Sequence, residues 1–150
     1  MILTPKETIL IGGGDYRKQE NTIIDLYLSK RISPEMKILI LPFASPQKTW
    51  ASWFSALFKN FEKYGWYNFE MLDPDLPSGI LTSKIESADI LFFTEGLPDI
   101  LLKLIKEKGL AETIIQHQGL VIGHGASALA LCRECIITPN KDYPTALLLE

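Results

Sequence analysis

The chain has 150 residues, the size of one domain, with 47% hydrophobic and 22% charged residues. That balance is ordinary globular material, and a chain this long buries a core without disulfide or metal staples. A net charge of −3 with no Lys/Arg stripe speaks against nucleic acid as a partner. No apolar run reaches the roughly 18 residues of a membrane span.

The opening Met1-Ile2-Leu3-Thr4-Pro5-Lys6-Glu7-Thr8 lacks the basic-then-apolar layout of a signal peptide, so the cytoplasm is the expected compartment. The two cysteines, Cys132 and Cys135, form a single Cys-Arg-Glu-Cys unit. It follows an Ala/Leu helix instead of opening one, and no second pair completes a zinc site. Ordinary reduced thiols are expected, with no metal and no cofactor.

Strand and helix signals alternate along the chain. Thr8 to Ile11 is a short apolar run ended by Gly12-Gly13-Gly14. Asn21 to Lys30 carries Ile23, Ile24, Tyr27 and Leu28 at helical spacing. Met36 to Leu41 is nearly continuous apolar sequence halted at Pro42, as in a strand buried on both faces. Trp50, Trp53, Phe54, Leu57, Phe58, Phe61 and Tyr64 then trace one broad stripe on a helix stopped by Gly65. That stripe reads as core packed on a sheet, or else as a partner surface.

Asn68 to Leu72 alternates like a strand, and Pro74, Pro77 and Gly79 mark a loop. A short helix is expected over Ser83–Ala88, a buried strand over Asp89–Phe93, and a helix over Pro98–Lys108 with Gly109 beyond its end. A second short helix spans Ala111–Gln118, and Leu120–Gly123 is a strand entering another small-residue turn. The order β-α-β-α-β-α-β-α-α-β-α implies a three-layer α/β/α sandwich with a mostly parallel sheet. Ligands in such folds bind beyond the carboxyl ends of the strands. Those ends hold Gly12-Gly13-Gly14, Phe43-Ala44-Ser45, Thr94-Glu95-Gly96 and His124-Gly125-Ala126.

The richest segment is Leu120-Val-Ile-Gly-His-Gly-Ala-Ser-Ala-Leu-Ala-Leu131. Strand, tight turn and helix in immediate succession are the shape of a nucleophile elbow, which lifts one side chain above the sheet edge. The residue at the tip is Gly125. Ser127, two positions on, reads as a helix-capping hydroxyl or as a displaced nucleophile served by His124, one of only two histidines. The other, His117, is expected at the opposite edge of the sheet. Glu95 and His124 read either as a pair on neighbouring strands, with a raised imidazole pKa, or as two independent solvated side chains. Gly12-Gly13-Gly14 fits neither a G-x-G-x-x-G nor a G-x-x-x-x-G-K-[ST] pattern and reads as a tight turn.

Taken in order, several segments resemble the dipeptidase E / cyanophycinase-like serine peptidases, of class I glutamine-amidotransferase-like fold. Ile9-Leu-Ile-Gly-Gly-Gly14 resembles the family's first strand and glycine turn, and Ile38 to Ser45 its second strand, closing on Pro42-Phe43-Ala44-Ser45. Ala88 to Leu102 resembles its strand, Gly-Gly-Asn loop and Leu-Leu helix. Gly123-His124-Gly125-Ala126-Ser127-Ala128 lies over its Gly-x-Ser-Ala-Gly-Ala elbow, and Lys141-Asp142-Tyr143-Pro144 resembles the segment after it. The likeness spans nearly all of residues 1–150 as a single domain, with the family's C-terminal part expected to be lacking.

Three departures bear on function. The family's nucleophilic serine falls on Gly125, its oxyanion loop reads Glu95-Gly96-Leu97, and its catalytic histidine would lie past the final residue. A carboxylate beside a developing oxyanion opposes it. The resemblance therefore implies a peptidase homologue without serine-peptidase catalysis, a pseudoenzyme. It would bind a small peptide or amino-acid-like ligand in a cleft at Glu95, Gly96, His124, Gly125 and Ala126, with His124 at the rim. Two other readings stand beside it. One is an active peptidase of acidic dipeptides using Ser127. The other is an interaction protein that forms a homodimer through an incomplete sheet.

Overall fold

The computed structural model describes residues 7–141 and 143–149. Residues 1–6, which carry most of the signal-peptide reading, Asp142, which falls in the Lys141–Pro144 resemblance, and Glu150 lie outside them.

Five strands form one parallel sheet: β1 (Glu7–Ile11), β2 (Ile38–Leu41), β3 (Phe69–Met71), β4 (Ile90–Phe93) and β5 (Leu120–His124), in the order β1-β5-β4-β2-β3. The three central strands are buried on both faces, which is why β2 and β4 read as unbroken apolar runs. Their side chains alternate between two cores. Ile38, Ile40, Ile90, Phe92 and Ile122 enter one, beneath α1 (Thr22–Leu28) and α2 (Trp50–Phe61). Leu39, Leu41, Leu91, Phe93 and Val121 enter the other. That second layer is built by α3 (Ser78–Ser87), α4 (Pro98–Glu107), α5 (Ala111–Ile115) and α6 (Ala126–Ala130). The three-layer α/β/α sandwich follows directly.

The aromatic stripe of α2 lies on the sheet. Phe54, Phe58 and Phe61 all reach Phe69, with ring centroids 5.4, 5.9 and 5.4 Å apart. Phe69 belongs to β3, an edge strand, so the half-exposed Phe54 and Phe58 shield an edge that would otherwise be open. Phe61 goes deeper and also meets Trp66 and Phe92 at 5.3 and 5.7 Å, edge to face.

Two expectations need correcting. α3 starts at Ser78, five positions before the expected Ser83. Pro77 supplies the carbonyl for the first turn, receiving Ile80 and Leu81 N–H, and burial of Leu81 and Ile85 outweighs the cost of Gly79. α1 is rotated relative to its expected stripe. It buries Asp25 and Leu28, while Ile23 and Tyr27 are 85% and 47% exposed. A separate two-stranded ribbon, β6 (Cys135–Ile137) antiparallel to β7 (Leu147–Leu149), follows the main sheet.

No helix among the described residues is long and apolar enough to cross a membrane. Phe61→Ala is expected to cost about 3–5 kcal/mol in urea unfolding, the usual loss for an aromatic removed from a core. Phe58→Ala, at the partly exposed end of the same stripe, is expected to cost far less, on the order of 1 kcal/mol.

Candidate functional site

The carboxyl ends of β1, β2, β4 and β5 converge as the sequence suggests. The loop after β4 is fastened to the loop after β2. Leu97 N–H donates to the Ala44 carbonyl at 2.8 Å, and Ser45 Oγ donates to the Glu95 carbonyl at 2.7 Å. Gly96 lies so close to the Ala44 carbonyl and Ser45 that no Cβ fits. On the far side, Ser127 Oγ, fully buried, donates to the Thr94 carbonyl.

The turn from β5 into α6 has the sharp conformation of an elbow, with Gly125 at φ 58 and ψ −120. Its N–H donates to the Ile11 carbonyl at 2.9 Å, and its carbonyl accepts from Ala128 N–H at 3.0 Å. The space above Gly125 is taken. A Cβ placed there would lie 2.6 Å from Glu95 Cγ and 2.8 Å from Glu95 Oε1. The side chain of Glu95 therefore occupies the volume into which an elbow nucleophile would project. Glu95, Gly96, Gly125 and Ala126 are all partly exposed.

His124 is not at the rim. β5 runs one residue further than expected and pairs His124 with Ile11, which turns the imidazole into the α1/α2 layer, fully buried. Tyr16 and Trp53 stand edge-on to it, with centroids at 5.1 and 6.3 Å. Its Nε2 lies 3.3 Å from Asn21 Nδ2, and the same amide donates to the Gly14 carbonyl at 3.2 Å. Nδ1 has no hydrogen-bond partner. β4 and β5 are neighbours, yet the expected rise in the imidazole pKa does not follow. Burial lowers it, and the charge of Glu95 only partly opposes that. Ser127 and His124 form no dyad: the Ser127 hydroxyl donates to the Thr94 carbonyl, and the imidazole meets Asn21 through Nε2. His117 is at the amino ends of the strands, as expected, beside Asp89, Gly119 and Leu120 in a groove of 450 Å³.

Sequence reasoning missed the polar residues beneath the elbow. Asp25 is 1% exposed, and Tyr16 donates its hydroxyl to Asp25 Oδ1 at 3.4 Å. Burial pushes the Asp25 carboxyl up to about 6, against the opposing pull of the Tyr16 hydrogen bond and the charge of Lys63. The available signal was an acidic residue between Ile24 and Leu28 on the inward side of α1. Gly14 belongs to the same cluster, since a Cβ there would collide with the Asn21 amide. No group of three or more His, Cys, Asp or Glu among the described residues could hold a metal ion.

Two outcomes are expected. Gly125→Ser should destabilise the fold by about 1–3 kcal/mol in chemical denaturation, because a β-carbon at this φ/ψ is strained and also meets Glu95. Adding Glu95→Gly should recover the steric share and leave the backbone share. The second outcome concerns pH. Asp25 binds its proton more tightly folded than unfolded, so the stability it contributes is fully present below pH 3.8 and is lost as pH rises through about 6. Unfolding free energy measured against pH should show that fall in wild type relative to Asp25→Asn.

A model of peptidase family S51 matches residues 8–147. A comparison with curated proteins finds no match. Among solved structures, the crystal structure of a peptidase E-type protein from Listeria monocytogenes EGD-e shares the fold, with a TM-score of 0.65 at 23% identity. The match covers 81% of this chain and 59% of that one, so the chain spans well under two thirds of its structural relative. With the family model covering nearly all of the chain and the fold agreeing, the chain belongs to peptidase family S51.

Proposed function

We propose that the chain is a dipeptidase E-like homologue that does not perform acyl transfer through a serine, and that its elbow cleft binds a small ligand. The observation that carries this reading is the Glu95 side chain lying 2.6 Å from where a Cβ on residue 125 would be. Acyl transfer needs a nucleophile at that point and hydrogen-bond donors beside it. Here the position offers a glycine and an acceptor-only carboxylate.

The ligand is amino-acid- or peptide-like and enters with its ammonium group toward Glu95. Among the described residues that carboxylate has no hydrogen bond or ion pair of its own. Gly96, Gly125 and Ala126 supply the floor, and His124 supports the floor from below without touching the ligand. The compartment in this reading is the cytoplasm, which accords with the free thiols of Cys132 and Cys135.

Ser127 carries the hydroxyl of the elbow segment, and its donor is committed to the Thr94 carbonyl. A fluorophosphonate probe is therefore expected to leave folded protein unlabelled. Labelling that disappears in Ser127→Ala would overturn the reading. Gly125→Ser is likewise expected to give no turnover of acidic dipeptides in an amine-release assay. Turnover from that single change would mean that the base and the oxyanion donors are already in place.

A further inference from the structure

Besides its aromatic stripe, α2 carries a polar face. Ser52, Ser55, Lys59 and Lys63 follow at helical spacing on the side away from Phe54, Phe58 and Phe61. Lys63 lies in the 3-10 turn that carries the helix on to Tyr64. That face is one wall of a groove of 290 Å³, and the 3-10 turn Tyr16–Lys18 after β1 is the other. The walls are tied together from inside. Asn60 Nδ2 donates to the Tyr16 carbonyl at 3.0 Å, and Asn60 is 4% exposed.

The lining is cationic, although the chain carries a net charge of −3. It holds Arg17, Lys59 and Lys63 and no Asp or Glu. Arg17 is balanced by Asp15 at 3.0 Å. Lys59 and Lys63 make no ion pair among the described residues, whereas Lys37, Lys84 and Lys103 each do. Lys63 acts on the buried Asp25 only through its field. An adjoining groove of 250 Å³ shares Arg17 and Ser52 and adds Lys48, again without an acid.

Asn60 supplies a second, independent signal. Its Nδ2 also donates to the Ala56 carbonyl at 2.9 Å. Two carbonyl acceptors fix which end of the amide is nitrogen and use both of its hydrogens. Oδ1 is left as an acceptor with no partner among the described residues. A polar group in so buried a side chain calls for a donor from whatever fills the groove.

We propose that this groove binds a small phosphomonoester that also carries a hydroxyl group. The phosphate lies between Lys59 and Lys63, which stand four residues apart and so share one side of the helix. Ser55 adds a hydroxyl donor to the same side. The ligand's own hydroxyl donates to Asn60 Oδ1. Two cations match a phosphate dianion, whereas a single carboxylate would leave one lysine uncompensated. The groove's volume suits a molecule of few carbons. This site is separate from the elbow cleft, where Glu95 favours a cationic group.

The test is isothermal titration calorimetry of the whole chain with glycerol 3-phosphate. Titration to about 10 mM passes well beyond the roughly millimolar affinity usual for so small a ligand. Saturable binding at a single site is expected. Lys59→Gln and Lys63→Gln should each weaken it about tenfold, the loss of one charge-assisted hydrogen bond. Both lysines are exposed, so both variants should keep the native circular dichroism spectrum. Lys106→Gln, at an exposed lysine of α4, should leave the affinity unchanged. Methyl phosphate keeps the dianion without the hydroxyl and should bind about fivefold more weakly. The assignment is overturned by an absence of saturable binding, by binding indifferent to both lysine variants, or by equal affinity for methyl phosphate.

Discussion

Gly96 pressed against the Ala44 carbonyl is the contact on which the cleft depends. No side chain fits there, so the loop after β4 can seat itself on the loop after β2, with Leu97 and Ser45 fastening it from both chains of atoms. Thr94, one end of that loop, is gripped from the opposite side by the Ser127 hydroxyl. A residue pinned on both sides has little freedom in where it sends its side chain. That anchoring sets the direction in which the Glu95 side chain leaves the backbone, and its Cγ lies 2.6 Å from where a Cβ on residue 125 would be.

The underside of the elbow is unusually polar for a core. His124, Asn21, Tyr16 and Asp25 are all buried in the layer that α1 and α2 lay over apolar strands. Register continued one step beyond Phe93 and Gly123 puts Thr94 beside His124, and both carry a buried polar atom without a partner. Each such group costs about 1–3 kcal/mol when it is left unsatisfied. Burial also lowers the imidazole pKa and keeps the Asp25 carboxyl protonated to a higher pH than usual. The cluster thus acts on the elbow through shape: it supports the Gly13-Gly14 turn and fixes where β5 ends.

The sheet was legible because its central strands are buried on both faces. Continuous apolar runs at Ile38–Leu41 and Ile90–Phe93 leave few other options, and the α2 stripe points to a flat partner. The face of α1 was not legible. Ile23, Ile24, Tyr27 and Leu28 satisfy helical spacing, yet the inward side contains Asp25, which periodicity counts as polar. α3 began early because Pro77 and Gly79 look like loop residues until Leu81 is seen to be buried. At the site, the elbow and the approach of Glu95 to Gly125 could be read from strand ends. The burial of His124 could not, since it depends on β5 running one residue further in register with Ile11.

The elbow of this chain has a packing cause of its own. In a catalytic elbow a side chain is held at a φ/ψ that L-residues avoid, and the strain is offset because the nucleophile must be presented there. Gly125 adopts φ 58 and ψ −120 without that penalty, since it has no Cβ to clash. What requires the turn here is packing. Gly123 has Ala128 and Leu131 against it so closely that α6 must start at once after β5. The Ile11 carbonyl, which accepts from Gly125, ties the turn to the neighbouring strand. A turn demanded by sheet–helix contact persists whether or not a reacting atom stands on it, so the chemistry has to be judged from what fills the space above. In this chain that space is filled by the carboxylate arm of Glu95.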